Sequence, residues 1–190
     1  MNELWIVRHG ETEWSASGRH TSTTDVPLTE AGRRDATALA PGLARHRFGL
    51  VLTSPMRRAR DTAAAAGFPD AVPDDDLCEW DYGEFEGVTT AEIRARGGVF
   101  AQWTIFGGPN PGGETIEQVA ERAERVLGRV AAAGGDVLCF GHAHFSRVLT
   151  AVALELGAPA AARLVLSPAT ISVIGSEHET RALRLWNSRS

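Results

Sequence analysis

The chain predicts an α/β fold around a largely parallel sheet, and three observations predict it. Short apolar runs at residues 4–7, 50–52 and 137–140 have the length and continuity of strands buried on both faces. Segments with helix caps and helical spacing lie between them, as crossovers between parallel strands require. Near the C-terminus, residues 171–174 and 182–185 alternate around a polar turn, the pattern of a closing hairpin.

Each element has its own signal. After Leu4-Trp5-Ile6-Val7, Thr29 reads as the N-cap of a helix to about residue 40, with Pro41 ending it. After the second strand, Ser54-Pro55 reads as an N-cap with proline at the first helical position, and Gly67 as the glycine that stops that helix. Thr115-Ile116-Glu117-Gln118 reads as a capping box opening a long helix to about residue 133. Its Ile116, Val119, Ala123, Val126 and Val130 keep one apolar stripe, the mark of a scaffold helix. A helix from about residue 145 to 156 follows the third strand, stopped by Gly157 and Pro159. Residues 97–113 break the rhythm. They are rich in Gly and Pro yet carry Phe100, Trp103 and Phe106, so they are expected to form an inserted, lid-like segment of a single domain spanning 1–190. The three aromatics suit core or lid equally.

Composition removes several classes of function. With 43% hydrophobic and 23% charged residues, the chain matches an ordinary globular domain. No run approaches the roughly 18 apolar residues of a membrane span, and no secretory signal is visible. Cys78 and Cys139 stand too far apart to suggest a disulfide framework, so a cytoplasmic location is expected. A net charge of −5 argues against a nucleic-acid partner. All 19 basic residues are arginine, which excludes Schiff-base chemistry, pyridoxal phosphate attachment and a Walker-type phosphate lysine.

The remaining chemistry gathers at strand ends. In open α/β sheets ligands bind beyond the carboxyl ends of the parallel strands. The first strand leads into Arg8-His9-Gly10, the second into Ser54 and Arg57-Arg58, and the third into Gly141-His142-Ala143-His144. Two histidines and two arginines at one sheet edge make a site for an anion, because the guanidinium fork matches phosphate oxygens. A neutral imidazole among guanidiniums is a competent nucleophile toward phosphorus, since nearby positive charge favours its neutral form. Arg57 and Arg58 are adjacent on a helix, so one should face the pocket and the other the solvent. His142-x-His144 and Asp74-Asp75-Asp76 lack the supporting spacing of a metal site; no metal and no cofactor is expected. The acidic triplet is more simply a solvated turn.

Five ordered blocks resemble the histidine phosphatase superfamily, the group that contains the cofactor-dependent phosphoglycerate mutases. They are residues 4–14 around Arg8-His9-Gly10, Pro27-Leu28-Thr29-Glu30-Ala31-Gly32, Thr53-Ser54-Pro55-Met56-Arg57-Arg58-Ala59, residues 77–87 around Glu79, and Gly141-His142. The resemblance implies a phosphoglycerate mutase-like, three-layer fold: a mostly parallel central sheet flanked by helices. It further implies that His9 becomes a phosphohistidine while Arg8, Arg58 and His142 clamp the oxygens of the transferring group. Of Arg57 and Arg58, it selects Arg58. Glu79 would give a proton to the leaving alkoxide and then serve as base for water, a role that needs it protonated at the first step.

Two departures bear on specificity. Ser15 stands where the family often has an asparagine that donates to phosphate, and Thr21-Ser22 where many members have Ser-Gly. Ser15, Thr21, Ser22, Ala143 and His144 are therefore the expected substrate contacts, with an exposed helix-end position as the alternative for His144. The Trp-Ser form, with Glu79-Trp80-Asp81-Tyr82-Gly83 and His142-Ala143-His144-Phe145, looks most like the sugar-phosphate and acid phosphatase branch. The expected function is a metal-independent phosphomonoesterase acting on a small phosphorylated metabolite, a sugar phosphate or bisphosphate. A mutase and a non-catalytic phosphate-binding module are the alternatives, and the oligomeric state is left open.

Overall fold

The computed structural model describes residues 1–189. Its sheet has six strands: β1 (Leu4–Arg8), β2 (Leu50–Thr53), β3 (Val72–Pro73), β4 (Val137–Gly141), β5 (Ile171–Glu177) and β6 (Thr180–Ser188), in the order β3-β2-β4-β1-β5-β6. Strands β3, β2, β4 and β1 run parallel, and β5 and β6 close the other edge antiparallel. Around the sheet lie α1 (Glu13–Ser17), α2 (Glu30–Ala38), α3 (Ala40–Leu43), α4 (Arg57–Ala65), α5 (Thr90–Ala95), α6 (Ile116–Ala132) and α7 (Ala143–Ala153).

The continuous apolar strands serve two cores, because alternate side chains leave opposite faces of the sheet. Leu4, Ile6, Val137 and Cys139 pack with Val119, Ala123 and Val126 of α6 and Phe145, Val148 and Leu149 of α7. Val7, Leu138 and Phe140 pack on the other face with Leu39, Leu43, Ala63 and Ala66. The result is a three-layer sandwich. Trp103 joins the first core, only 2% exposed, while Phe100 and Phe106 pack against its margin.

Element ends depart from the sequence signals in instructive ways. Thr29 does cap α2 by accepting the Gly32 N–H, but Pro41 starts rather than stops a turn: it sits in the first turn of α3. Proline lacks only an N–H that a first turn leaves unbonded anyway. Helix α4 begins at Arg57 with Met56 as N-cap, and the Ser54 hydroxyl, which accepts the Met56 N–H at 3.3 Å, also bonds His142 Nε2 at 2.8 Å. Gly67, at φ +95°, ends it as expected, with Phe68 N–H bonded to Ala63 O at 2.8 Å. Helix α7 ends sooner than Gly157 suggested. Glu155 adopts φ +58°, and Leu156 N–H closes the turn on Ala151 O at 3.0 Å.

Parallel register creates the site. Arg8 pairs with Gly141 and Thr53 with Phe140, so β1, β4 and β2 end side by side and His9, His142 and Ser54 leave the sheet as neighbours. The His9 N–H reaches Gly141 O at 2.9 Å, and the Ser54 N–H reaches Phe140 O at 2.9 Å.

Candidate active site

His9 is fixed before any ligand arrives. The turn behind it depends on backbone contact: a Cβ on Gly10 would stand 2.4 Å from Gly32 O, and one on Gly32 would stand 2.2 Å from Glu11 O. Glycine at both places lets the turn after β1 lie directly on the start of α2. The Gly10 N–H is held by Thr62 Oγ1 at 3.0 Å. The imidazole is 5% exposed, and its Nδ1 lies 2.7 Å from Gly10 O. A carbonyl can only accept, so Nδ1 carries the hydrogen and Nε2 keeps its lone pair. Burial first, then the charges of Arg8 and Arg58, hold this histidine well below its ordinary pKa, hence neutral.

Arg8 and Glu79 face the same cavity of about 300 Å³, together with His9, Ser15, Thr21, Ala143 and His144. Arg8 donates Nη1–H to Leu166 O at 2.5 Å, and its sealed Nε has no partner among the described residues. Three expected contacts stand elsewhere. Arg58, His142 and Ser22 are buried behind the wall rather than on it. Arg58 donates Nε–H to His142 Nδ1 at 3.2 Å and its other N–H groups to the carbonyls of Thr21, Ser22 and Thr24. Since Arg58 only donates, His142 Nδ1 accepts, and Nε2–H goes to Ser54 Oγ at 2.8 Å. Both nitrogens of His142 are thus engaged, and the ring stands edge to face with His9 at 5.2 Å. Ser54, His142 and Arg58 thus form a buried hydrogen-bonded chain beside His9.

Ser15 is on the wall, but its hydroxyl is spent. It accepts the Thr12 N–H at 2.9 Å and donates to Thr12 O at 3.0 Å in the reciprocal cap of α1. The backbone of α7 offers what Ser15 withholds. Glu79 caps that helix, with Oε2 accepting His144 N–H at 3.0 Å and Oε1 accepting Phe145 N–H at 2.8 Å. Trp80 N–H adds a third bond to Oε1 at 2.9 Å. Both carboxyl oxygens therefore accept from backbone. Ala143 N–H remains without a partner among the described residues and lines the cavity at a helix N-terminus.

His144 lies on the wall and not at an exposed helix end. Tyr82 OH is 2.6 Å from its Nδ1, and burial, reinforced by Glu79, pushes the phenol well above its ordinary pKa. A protonated phenol with no other acceptor among the described residues donates here. His144 Nε2 therefore carries the ring hydrogen, and it has no partner among the described residues.

Several participants had weak sequence signals. Arg19, His20 and Arg147 also line the cavity. Arg147 was the findable one: it lies three residues after His144, on the same side of α7. Helix α6 does more than fill the core. Arg122 pairs with Glu114 at 2.7 Å and bonds the carbonyls of Asp76, Cys78 and Glu79, holding the Glu79 loop. Nor is the acidic triplet a solvated turn: Asp74 and Asp76 pair with Arg125 and Arg129 of α6.

The fold and the site define an α/β phosphate-handling enzyme, with a neutral imidazole presented among guanidiniums at the strand ends. The comparisons agree. The chain matches the model of the histidine phosphatase superfamily, branch 1, over residues 4–189 and belongs to that family. It is 36% identical to an acid phosphatase of Mycobacterium tuberculosis over 186 residues, covering 96% of this chain and 90% of the relative. It is 34% identical to a sedoheptulose 1,7-bisphosphatase of Saccharomyces cerevisiae, over 80% of this chain and 67% of the relative. A solved Mycobacterium tuberculosis open-reading-frame product superposes with a TM-score of 0.92 at 35% identity, covering 98% of this chain and 97% of the other. Among the described residues no helix is long and apolar enough to cross a membrane.

Proposed function

We propose that this enzyme hydrolyses a small phosphorylated metabolite, of the sugar phosphate or bisphosphate class, through a phosphohistidine on His9 and without a metal. The observation that carries this reading is the 2.7 Å approach of His9 Nδ1 to Gly10 O, from which its tautomer follows. Nδ1–H is tied to Gly10 O, and Nε2 is left as a lone pair at the cavity beside Arg8.

In the first step Nε2 attacks phosphorus and the bond from phosphorus to the substrate oxygen breaks. Charge on the equatorial oxygens meets Arg8 and the Ala143 N–H, with Arg58 behind His9 adding field. The departing oxygen takes a proton from Glu79, whose carboxylate then serves in the second step. In the second step Glu79 receives a proton from water, the water oxygen bonds phosphorus, and the phosphorus–nitrogen bond breaks. Phosphate leaves and His9 is neutral again. His144 Nε2–H, Thr21 and the 97–113 segment border the leaving group, and that segment acts as its cover. The same reading places the enzyme in the cytoplasm as a single domain.

The test is phosphate release from sugar phosphates, bisphosphates and p-nitrophenyl phosphate, with and without EDTA and with vanadate. Activity that resists EDTA and is blocked by vanadate, which mimics the five-coordinate phosphorus, supports the reading. Activity lost in EDTA and restored by Zn²⁺ or Mg²⁺ contradicts it.

A further inference from the structure

The end of the sheet opposite His9 carries a side-chain cluster that phosphoryl transfer does not use. Glu3 stands just before β1 and Asp136 just before β4, and His46 follows α3 on the way to β2. All three are half-buried, and one ligand atom from each lies within 4.8 Å of the others. At about 3.3 Å per strand residue, the length of β1 sets them roughly 20 Å from His9.

Each side chain is oriented by a bond that keeps a ligand atom within reach. Asp136 Oδ1 accepts the Glu3 N–H at 2.7 Å, and Oδ2 lies 2.8 Å from His46 Nε2. Glu3 Oε2 accepts Trp5 Nε1–H at 3.0 Å, which leaves Oε1 without a hydrogen bond. The His46 ring packs on Trp5 at 4.7 Å and on Phe48 at 4.9 Å. Backbone bonds tie the segments together: Val137 N–H reaches Glu3 O at 2.9 Å, and Gly49 N–H reaches Asp136 O at 2.8 Å. Outer hydrogen bonds of this kind orient metal ligands in proteins.

Charge points the same way. Elsewhere Asp61, Asp74, Asp76 and Glu114 are each paired with arginine. Glu3 and Asp136 lie side by side with no arginine on either among the described residues. A Cβ on Gly175 would stand 3.0 Å from Arg184 Cγ and 3.1 Å from Glu3 Oε1, yet the Arg184 guanidinium bonds Ser176 O at 3.3 Å. Two carboxylates this close repel unless a cation joins them.

We infer that Glu3, His46 and Asp136 bind a divalent ion of the Zn²⁺ class, a structural clip joining the starts of β1 and β4 to the turn before β2. One imidazole with two carboxylates is a ligand set such ions accept, and the imidazole selects against Mg²⁺ and Ca²⁺. Water completes the shell. Binding uses the Nε2 lone pair, so the ring hydrogen now directed at Asp136 moves to Nδ1, which has no partner among the described residues. The ion is remote from the metal-free chemistry proposed at His9, and the inference does not rest on it.

The experiment titrates the metal-stripped full chain with Zn²⁺ and with Mg²⁺, followed by calorimetry and thermal unfolding. His46→Ala, Glu3→Gln and Asp136→Asn are treated alike. Glu3→Gln and Asp136→Asn keep acceptors for Trp5 Nε1–H and the Glu3 N–H, so they separate lost ligation from lost packing. The wild type should bind one Zn²⁺ that every variant binds at least about tenfold more weakly. With Zn²⁺ at about 100 times its Kd, the wild-type Tm should rise by about 5–10 °C and the variants' Tm by much less. Mg²⁺ should do neither. No Zn²⁺ bound by the wild type, equal binding in all four proteins, or Mg²⁺ acting as Zn²⁺ does would overturn the inference.

Discussion

Tyr82 and His144 meet in the cavity wall through a 2.6 Å hydrogen bond in which the phenol donates and Nδ1 accepts. The bond fixes which ring nitrogen carries hydrogen, and so leaves His144 Nε2–H as a donor in the cavity wall. Tyr82→Phe should release that choice. Nitrogen chemical shifts of His144 should change from a single Nε2–H tautomer to a mixture, and kcat/KM for a sugar phosphate should fall about tenfold, the worth of one lost hydrogen bond. An unchanged tautomer would mean that Tyr82 does not set it.

Glu79 caps α7, and the proposed mechanism also has it move a proton. Glu79→Gln keeps shape but cannot deliver a proton, and a general acid matters most when the leaving group is poor. Single-turnover phosphorylation should fall about 10² to 10⁴-fold with a sugar phosphate and far less with p-nitrophenyl phosphate. Equal slowing of both would remove Glu79 from the acid role.

Four imidazoles, His9, His20 and His142 in the interior and the half-buried His144, are all held below their ordinary pKa, desolvation being the largest cause in each. The unfolded chain then binds more protons below pH 6.5, so their contribution to stability is complete above about 6.5 and declines as pH falls. His20, pushed down to about 4, sets a window from 6.5 to 4. At about 1.4 kcal/mol per unit it alone contributes roughly 3 kcal/mol across that window. Urea unfolding at pH 7.5, 6 and 5 should show steadily lower stability, and a flat profile would contradict the neutral, buried state. The acidic limb of the activity profile should likewise lie below 6.5, because His9 must be neutral to attack.

Gly10 and Gly32 touch backbone to backbone, so Gly32→Ala forces the turn carrying His9 away from α2. Overpacking of this kind costs about 1–3 kcal/mol. Thermal unfolding should register that loss, and activity should drop with it because His9 rides on the displaced turn. Wild-type stability and activity in Gly32→Ala would show that the contact yields freely.

The strands and the three-layer architecture were legible because an apolar run of four residues between turns has few other uses, and register follows once parallel pairing is granted. Helix ends were less legible. Ser54 looks like a cap, but its hydroxyl bonds His142, a residue 88 positions away. Glu155 takes a left-handed conformation that composition gives no reason to expect. In the site, block matching put His9, Arg8, Glu79, Ala143 and His144 on one cavity. It could not say that Ser15 spends its hydroxyl on Thr12, or that His142 and Arg58 engage each other behind the wall. Those outcomes depend on which way a hydroxyl or a ring turns, and spacing along a chain carries no such information.

The central claim is covalent: Nε2 of His9 takes the phosphoryl group. Enzyme mixed with a ³²P-labelled sugar phosphate and quenched in alkali within one turnover should yield label on a single peptide, stable in base and lost in acid, as a phosphoramidate is. His9→Ala should carry none while keeping the wild-type circular dichroism, since Leu4, Ile6 and Val7 hold β1 without the imidazole. Label that persists in His9→Ala, or that is stable in acid and lost in base, would contradict the account.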